Sequence, residues 1–224
     1  MSVAIETAVR SPAALFEAVE LRHRYGPARG LEPVSFTIAA PGVVAVTGPN
    51  GSGKSTLLRI LAGLLRPSGG RASLAVSGVV VPPPGRRRHV GYVSPELAFY
   101  DEMSVAENLG FAAEARGLAA AGAAVREALE RVALWGRAHD RASALSSGLR
   151  QRLRLAFALL HRPPVLLLDE PGSHMDDEGR ALVTGIVGQH GSTGLVVMAT
   201  NDEREWRLAE QRIELRGRGL GDSA

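Results

Sequence analysis

The chain contains no cysteine. That excludes disulfides, thiolate metal sites and thiol catalysis, and it fits a reducing, cytoplasmic compartment. Long hydrophobic runs are missing as well. The longest candidates, Val165 to Leu168 and Leu195 to Ala199, fall far short of the roughly 20 apolar residues that span a bilayer. The N-terminus shows no basic stretch followed by an apolar one, so no secretory leader is expected. The six histidines have no metal-ligand spacing, and there is neither an internal repeat nor a coiled-coil heptad. A formal net charge of +3 is too mild to argue for nucleic acid. Lysine is almost absent: of 26 basic residues, all are arginine except Lys54. A chain that uses arginine everywhere else keeps one compact ammonium, at a position where a forked guanidinium is no substitute.

What is present suits a single α/β domain with a modest appended subdomain: 224 residues, 45% hydrophobic and 22% charged. Alternation predicts strands over Leu15 to Leu21 and Val34 to Ala39, and a short apolar run predicts a buried strand over Val43 to Thr47. Leu57, Leu58, Ile60, Leu61 and Leu64 predict a helix over Ser55 to Leu65, closed by Pro67-Ser68-Gly69-Gly70. Ala72 to Val81 reads as strand, broken by Pro82-Pro83-Pro84-Gly85, and His89 to Val93 as another. Arg86-Arg87-Arg88 reads as a solvated loop. From Ser104 to Gly136 the pattern is alanine-rich helix with a break at Gly117 and Gly122. A helix from Ser147 to His161, a strand Val165 to Leu168, a helix near Glu178 to Gln189 and a strand Gly194 to Thr200 restore the α/β alternation. Gly217 to Ala224 reads as a frayed end.

Lys54 lies inside Gly48-Pro49-Asn50-Gly51-Ser52-Gly53-Lys54-Ser55-Thr56, the phosphate-binding pattern G-x-x-x-x-G-K-[ST] between a strand and a helix. Glycines at 48, 51 and 53 would let backbone N–H groups converge on a phosphate, helped by the positive end of the following helix. Lys54 would reach the β- and γ-phosphates and Ser55 would ligate Mg²⁺. Further on, Val165-Leu166-Leu167-Leu168 ends in Asp169-Glu170, where an open parallel sheet presents its ligand edge. Asp169 would hold the Mg²⁺ ion and Glu170 would polarise an attacking water as general base.

Leu145-Ser146-Ser147-Gly148, followed by a basic helix and then Asp169-Glu170-Pro171, resembles the ATP-binding cassette (ABC) ATPase family over nearly the whole chain. The resemblance implies a P-loop NTPase core with a mixed sheet, an antiparallel β subdomain and an inserted α-helical subdomain. On that reading residues 1–224 are one ABC ATPase domain, with the core at about 12–96 and 144–216 and the helical part at about 97–143. It also implies that Tyr25, 23 residues before Gly48, stacks on adenine, and that Asp176 lies in the loop after the carboxylates. Ser146 and Gly148, at a helix start whose N–H groups are free, would grip the γ-phosphate of ATP held by a second, facing subunit.

Four positions, in three motifs, depart from the family pattern. Ser147 and Leu149 replace the usual glycine and glutamine of the signature. Pro95, in Tyr92-Val93-Ser94-Pro95-Glu96, replaces a glutamine that helps ligate Mg²⁺ and senses the membrane partner; Pro95 offers no side-chain acceptor, and Ser94 or Glu96 could substitute. Asn201 replaces the γ-phosphate-sensing histidine, and it can donate a neutral hydrogen bond but cannot become cationic. The expected function is still the ATP-binding, ATP-hydrolysing subunit of an ABC transporter, slowed by Pro95, Leu149 and Asn201, with Glu170, Lys54 and Asn201 as catalytic residues. Expected partners are a second ATPase subunit, identical or not, and transmembrane permease subunits at the inner face of the membrane, with no direct nucleic-acid contact. Tyr100 to Leu109 resembles exporter-type cassettes, and the short length resembles small exporter ATPases, the haem-exporter type included. The rivals are a soluble ABC-type ATPase acting on nucleic acid or the ribosome, and a degenerate subunit that binds ATP without turning it over.

Overall fold

The computed structural model describes residues 13–26 and 29–217. Of the stretch read as a frayed end, only Gly217 lies among them. The elements follow in chain order as β1 (Ala14–Arg24), β2 (Gly30–Ala39), β3 (Gly42–Thr47), α1 (Lys54–Leu61), β4 (Gly69–Val76), β5 (Val79–Val81), β6 (Val90–Val93), α2 (Val105–Ala115) and α3 (Ala121–Arg131). Then come α4 (Ser147–Leu159), β7 (Val165–Asp169), α5 (Asp177–Gly191), β8 (Leu195–Ala199), α6 (Glu203–Trp206) and β9 (Gln211–Glu214).

Both kinds of strand pairing are present, as the α/β reading with an antiparallel subdomain expects, and they fall in two sheets. The order β2-β1-β4-β5 is antiparallel throughout and the order β6-β7-β8-β3-β9 parallel throughout. The parallel sheet is covered on both faces, which is why its strands are continuous apolar runs. Side chains alternate across it: Val165, Leu167, Leu195 and Val197 join one core with Leu57, Leu58 and Leu61 of α1. Leu166, Leu168, Val196 and Met198 join a second core with Leu155 of α4 and Val183 and Val187 of α5. Each such fully buried side chain contributes about 1.5–3 kcal/mol, so both layers clamp the strand ends that carry the candidate site.

Several boundaries differ from expectation. The single strand expected over Ala72 to Val81 is a hairpin, because Ser77 (φ 49°) and Gly78 (φ 80°) form a two-residue turn with both φ positive. The helix expected to reach Leu65 stops at Leu61, where Gly63 turns left-handed at φ 78°. The alanine-rich stretch breaks at Gly117 but resumes at Ala121, so Gly122 lies inside α3. α2 starts at a capping box in which Ser104 and Glu107 exchange side-chain to backbone hydrogen bonds.

Arg86 corrects the reading of its segment as a solvated loop. It is 2% exposed, and its guanidinium donates to the carbonyls of Ile60 (3.0 Å), Leu61 (3.1 Å) and Ala72 (2.7 Å). Ile60 and Leu61 end α1, so a cation meets the negative end of the helix dipole. Burial pushes the Arg86 pKa down, and these three acceptors compensate the cost of placing its charge there.

Candidate functional site

The loop between β3 and α1 is shaped by backbone that side chains cannot share. At Gly48 (φ 146°) a Cβ would sit 2.4 Å from the Leu215 carbonyl oxygen, and at Gly53 (φ 99°), 2.8 Å from that of Gly30. Gly53 is also the N-cap of α1, so the unpaired N–H groups of that helix open onto the loop. Lys54 is 7% exposed and folds back, its Nζ donating to the carbonyls of Gly48 at 2.7 Å and Pro49 at 3.4 Å. Burial pushes its pKa down, while Glu170 and Asp169 pull it up. Ser52 Oγ is buried with no hydrogen-bond partner among the described residues. A ring of donors with an ammonium in it suits a phosphate chain.

β7 delivers the acidic pair to the same edge of the sheet, one strand away from β3 across β8. Asp169 is 3% exposed. Burial pushes its carboxyl up, the Ser55 hydroxyl pulls it down, Glu170 pushes it up again, and Arg59 and Lys54 oppose that. Glu170 turns out into solvent at φ 49°, its N–H donating to the Ala199 carbonyl at 2.9 Å. Glu170 lines a cleft of about 360 Å³ together with Asn50, Gly172, Thr200 and Asn201. Across it, Asn201 Nδ2 donates to Asn50 Oδ1 at 3.1 Å.

The structure thus brings the phosphate-binding loop with Asn50, Lys54 and Ser55 together with Asp169, Glu170 and Asn201; Tyr25, Ser146 and Gly148 lie elsewhere. Tyr25 is 52% exposed, edge-on to His23 at 4.5 Å between ring centroids. It lines a separate, larger groove of about 560 Å³ with Arg59, Tyr92 and Glu96. Ser146 caps α4 by accepting the Leu149 N–H at 3.3 Å and is otherwise exposed, while Gly148 faces the His174 carbonyl. Neither Ser146 nor Gly148 lines the cleft at Glu170. Of the two candidates to replace the missing glutamine, Glu96 is engaged by Arg59 at 2.5 Å, and Ser94 Oγ accepts the Glu96 N–H at 3.3 Å. Asp176 caps α5 through the Gly179 N–H at 2.8 Å.

The half-buried Ser55 and the buried Asp169 fit a divalent cation. The Asp169 carboxylate is disfavoured by burial and by a neighbouring carboxylate, both of which a cation would relieve. Among the described residues no three His, Asp or Glu side chains converge on one point. Ser55 and Asp169 would leave the rest of a cation's ligands to phosphates and water, the arrangement that suits Mg²⁺.

The sequence pattern of the family described as "ABC transporter" matches residues 31–173. The chain belongs to the ABC transporter family. It is 35% identical over 198 residues to the cytochrome c biogenesis ATP-binding export protein CcmA of Paraburkholderia xenovorans, covering 79% of this chain and 87% of that one. It is 43% identical over 149 residues to the uncharacterized ABC transporter ATP-binding protein YxlF of Bacillus subtilis, covering 66% of this chain and 49% of that one. Its fold is similar to that of the ATP-binding cassette MJ0796 in a dimeric, post-hydrolysis state bound to ADP and phosphate, with a TM-score of 0.80 and 22% identity over 91% of this chain and 96% of that chain.

Within this ABC cassette, two residues that sequence reading missed hold the loop after Glu170. Gln151, on α4, donates to the carbonyls of Pro171 at 3.1 Å and Glu170 at 3.4 Å. Glu205, on α6, accepts the N–H of Gly172 at 2.8 Å. Burial raises the Glu205 pKa, opposed by the Thr200 hydroxyl and the Gly172 N–H. The only sequence signal for Gln151 is its place inside the basic helix; Glu205 has none.

Proposed function

We propose that this chain is the ATP-binding and ATP-hydrolysing subunit of an ABC transporter, and that it works as a pair of subunits closed face to face around ATP. The observation that carries the reading is the convergence of the Lys54 loop after β3 with Asp169 and Glu170 at the end of β7. Lys54, released from the Gly48 and Pro49 carbonyls, would exchange them for the β- and γ-phosphates, while the N–H groups of residues 50–54 cradle the same group. Glu170, facing solvent beside the cleft, would take the proton of the attacking water. Ser55 and Asp169 would hold Mg²⁺, which supplies positive charge to the phosphates. Asn201 would sense the γ-phosphate with a neutral donor, and Tyr25 would stack on the adenine.

Ser146 and Gly148, which do not line the Glu170 cleft, would grip the γ-phosphate of ATP held by a second, facing subunit. ATP would close the pair because it makes contacts in the closed state that the open state lacks. Residues 97–143 would form the helical part that, with the groove at Tyr92 and Glu96, meets membrane subunits. No helix among the described residues is long and apolar enough to cross a membrane, so a place at the inner membrane face would come from that docking.

Steady-state ATP hydrolysis by the purified chain, by Lys54→Ala and by Glu170→Gln tests the reading. Wild-type turnover well above both variants is expected. Turnover in Lys54→Ala equal to wild type would overturn it.

A further inference from the structure

Glu170 occupies a backbone conformation that a non-glycine residue adopts only under constraint, with φ at 49°. What constrains it is visible in the peptide units that follow. Gln151 occupies the carbonyls of Glu170 and Pro171 from the α4 side. Ser173 N–H closes a turn onto the Glu170 carbonyl at 3.1 Å. The N–H of Gly172, a buried residue, points the other way and meets Glu205 Oε1 at 2.8 Å. An unpaired N–H there would carry a desolvation penalty, so Glu205 is the acceptor that completes the turn. Glu205 in turn belongs to the segment that carries Asn201. Its N–H donates to the Asp202 carbonyl at 3.1 Å, and Asp202 caps α6 directly after Asn201. A second tie runs in parallel, since Arg180 bonds both the Met175 carbonyl (3.2 Å) and Asp202 (3.0 Å).

We propose that Glu205 is a positioning residue: by accepting the Gly172 N–H it holds Glu170 in its left-handed turn and couples that turn to the Asn201 segment. The inference rests on the reading of Glu170 as the base. A γ-phosphate met by Asn201 then fixes the start of α6, and Glu205 passes that order to the residue that activates water. Glu205 lines the same cleft as Glu170, but its carboxylate is taken up by the Gly172 N–H, so its loss is expected to act on turnover and to leave nucleotide affinity alone. Geometry at the reacting atoms is steep: displacement by about 1 Å costs on the order of 100-fold in rate.

The test uses the full chain. In Glu205→Ala, kcat falls about 10- to 100-fold while KM for ATP stays at the wild-type value. Glu205→Gln keeps an oxygen for the Gly172 N–H and recovers most of that loss. Gly172→Ala gives a second route independent of α6 folding: its Cβ would lie 2.3 Å from Glu205 Oε1 and displace only that flexible carboxylate. It therefore reproduces the Glu205→Ala phenotype. Equal loss in Glu205→Gln and Glu205→Ala, a rise in KM in place of a fall in kcat, or wild-type turnover in Gly172→Ala would each overturn the proposal. Glu170→Gln separates the two layers of the argument. If it abolishes turnover while Glu205→Ala does not lower it, the base stands and the positioning role falls; if Glu170→Gln turns over normally, both fall.

Discussion

Asn201 Nδ2 donates to Asn50 Oδ1 at 3.1 Å, bridging 151 positions of sequence across the mouth of the candidate nucleotide site. One partner sits at the tip of the phosphate-binding loop and the other where the family places a histidine. The pair closes the cleft with a neutral hydrogen bond that does not titrate near neutral pH. Asn201→Ala removes a bond worth about 0.5–1.5 kcal/mol and is expected to lower kcat about 2- to 10-fold. Asn201→His is expected to raise turnover and to introduce a rate limb centred near a pKa of about 6.5. A kcat profile from about pH 5.5 to 8.5 checks both, and an Asn201→His profile of the same shape as wild type would contradict the assignment.

Asp169 trades stability for ligand affinity. Its pKa lies above the ordinary 3.8, mainly through burial. A raised carboxyl favours the folded state only while protonated, so this contribution is complete below pH 3.8 and is lost as pH rises through the raised value. Nucleotide-free Asp169→Asn is therefore expected to melt above wild type at neutral pH, by about 2–4 °C for each kcal/mol relieved in a chain of this size. The gap closes toward the acid side. With ATP and Mg²⁺ the order reverses, because wild type gains a ligand-induced shift and the variant does not. Thermal melts at two pH values, with and without nucleotide, decide it.

Lys54 is the only lysine, which makes its environment chemically readable. Amine-directed reductive methylation has a single ε-amino target, buried and hydrogen-bonded to Gly48 and Pro49. Modification measured by peptide mass is expected to slow further with ATP and Mg²⁺ present. Lys54→Ala gives up a charge-assisted bond worth about 1.5–3 kcal/mol, and so about 10- to 100-fold in nucleotide affinity. Lys54→Arg is not expected to restore it, since the wider fork does not fit between those carbonyls. Unchanged labelling at saturating ATP would remove Lys54 from the site.

What could be read from the sequence follows from where each signal resides. The β7 and β8 runs, the Lys54 loop and the start of the helical stretch at Ser104 are local patterns, and each appeared close to where it was expected. β9 escaped because Gln211–Glu214 is an edge strand paired only to β3, with Ile213 its one partly buried residue, so no alternation marks it. Arg86 escaped for a different reason: three successive arginines look alike in one dimension, and only the fold brings the carbonyls of Ile60, Leu61 and Ala72 to the first of them. Glu205 meets Gly172 across 33 positions, a relation no spacing rule contains. Tyr25, Ser146 and Asn201 came from the family pattern, not from the chemistry of their neighbourhoods.

His161 predicts an acid limb in stability that is independent of nucleotide. Both ring nitrogens are buried without a hydrogen-bond partner among the described residues. Burial, and next the nearby Arg116, push its pKa from 6.5 down to about 4. A depressed base favours folding while neutral, so the contribution is complete above pH 6.5 and is lost as pH falls through about 4. Urea midpoints of the wild-type chain should therefore decline over that window. His161→Phe, which cannot titrate, should show a shallower decline. Part of the slope remains, because His190 is half-buried with its pKa pushed down, by desolvation first and by Arg131 next. Combining His161→Phe with His190→Phe should flatten the window further. A double variant that loses stability as steeply as wild type would place the acid sensitivity elsewhere, in carboxylates such as Asp202, whose pKa is lowered first by the Arg204 N–H and then by the Arg204 and Arg180 side chains.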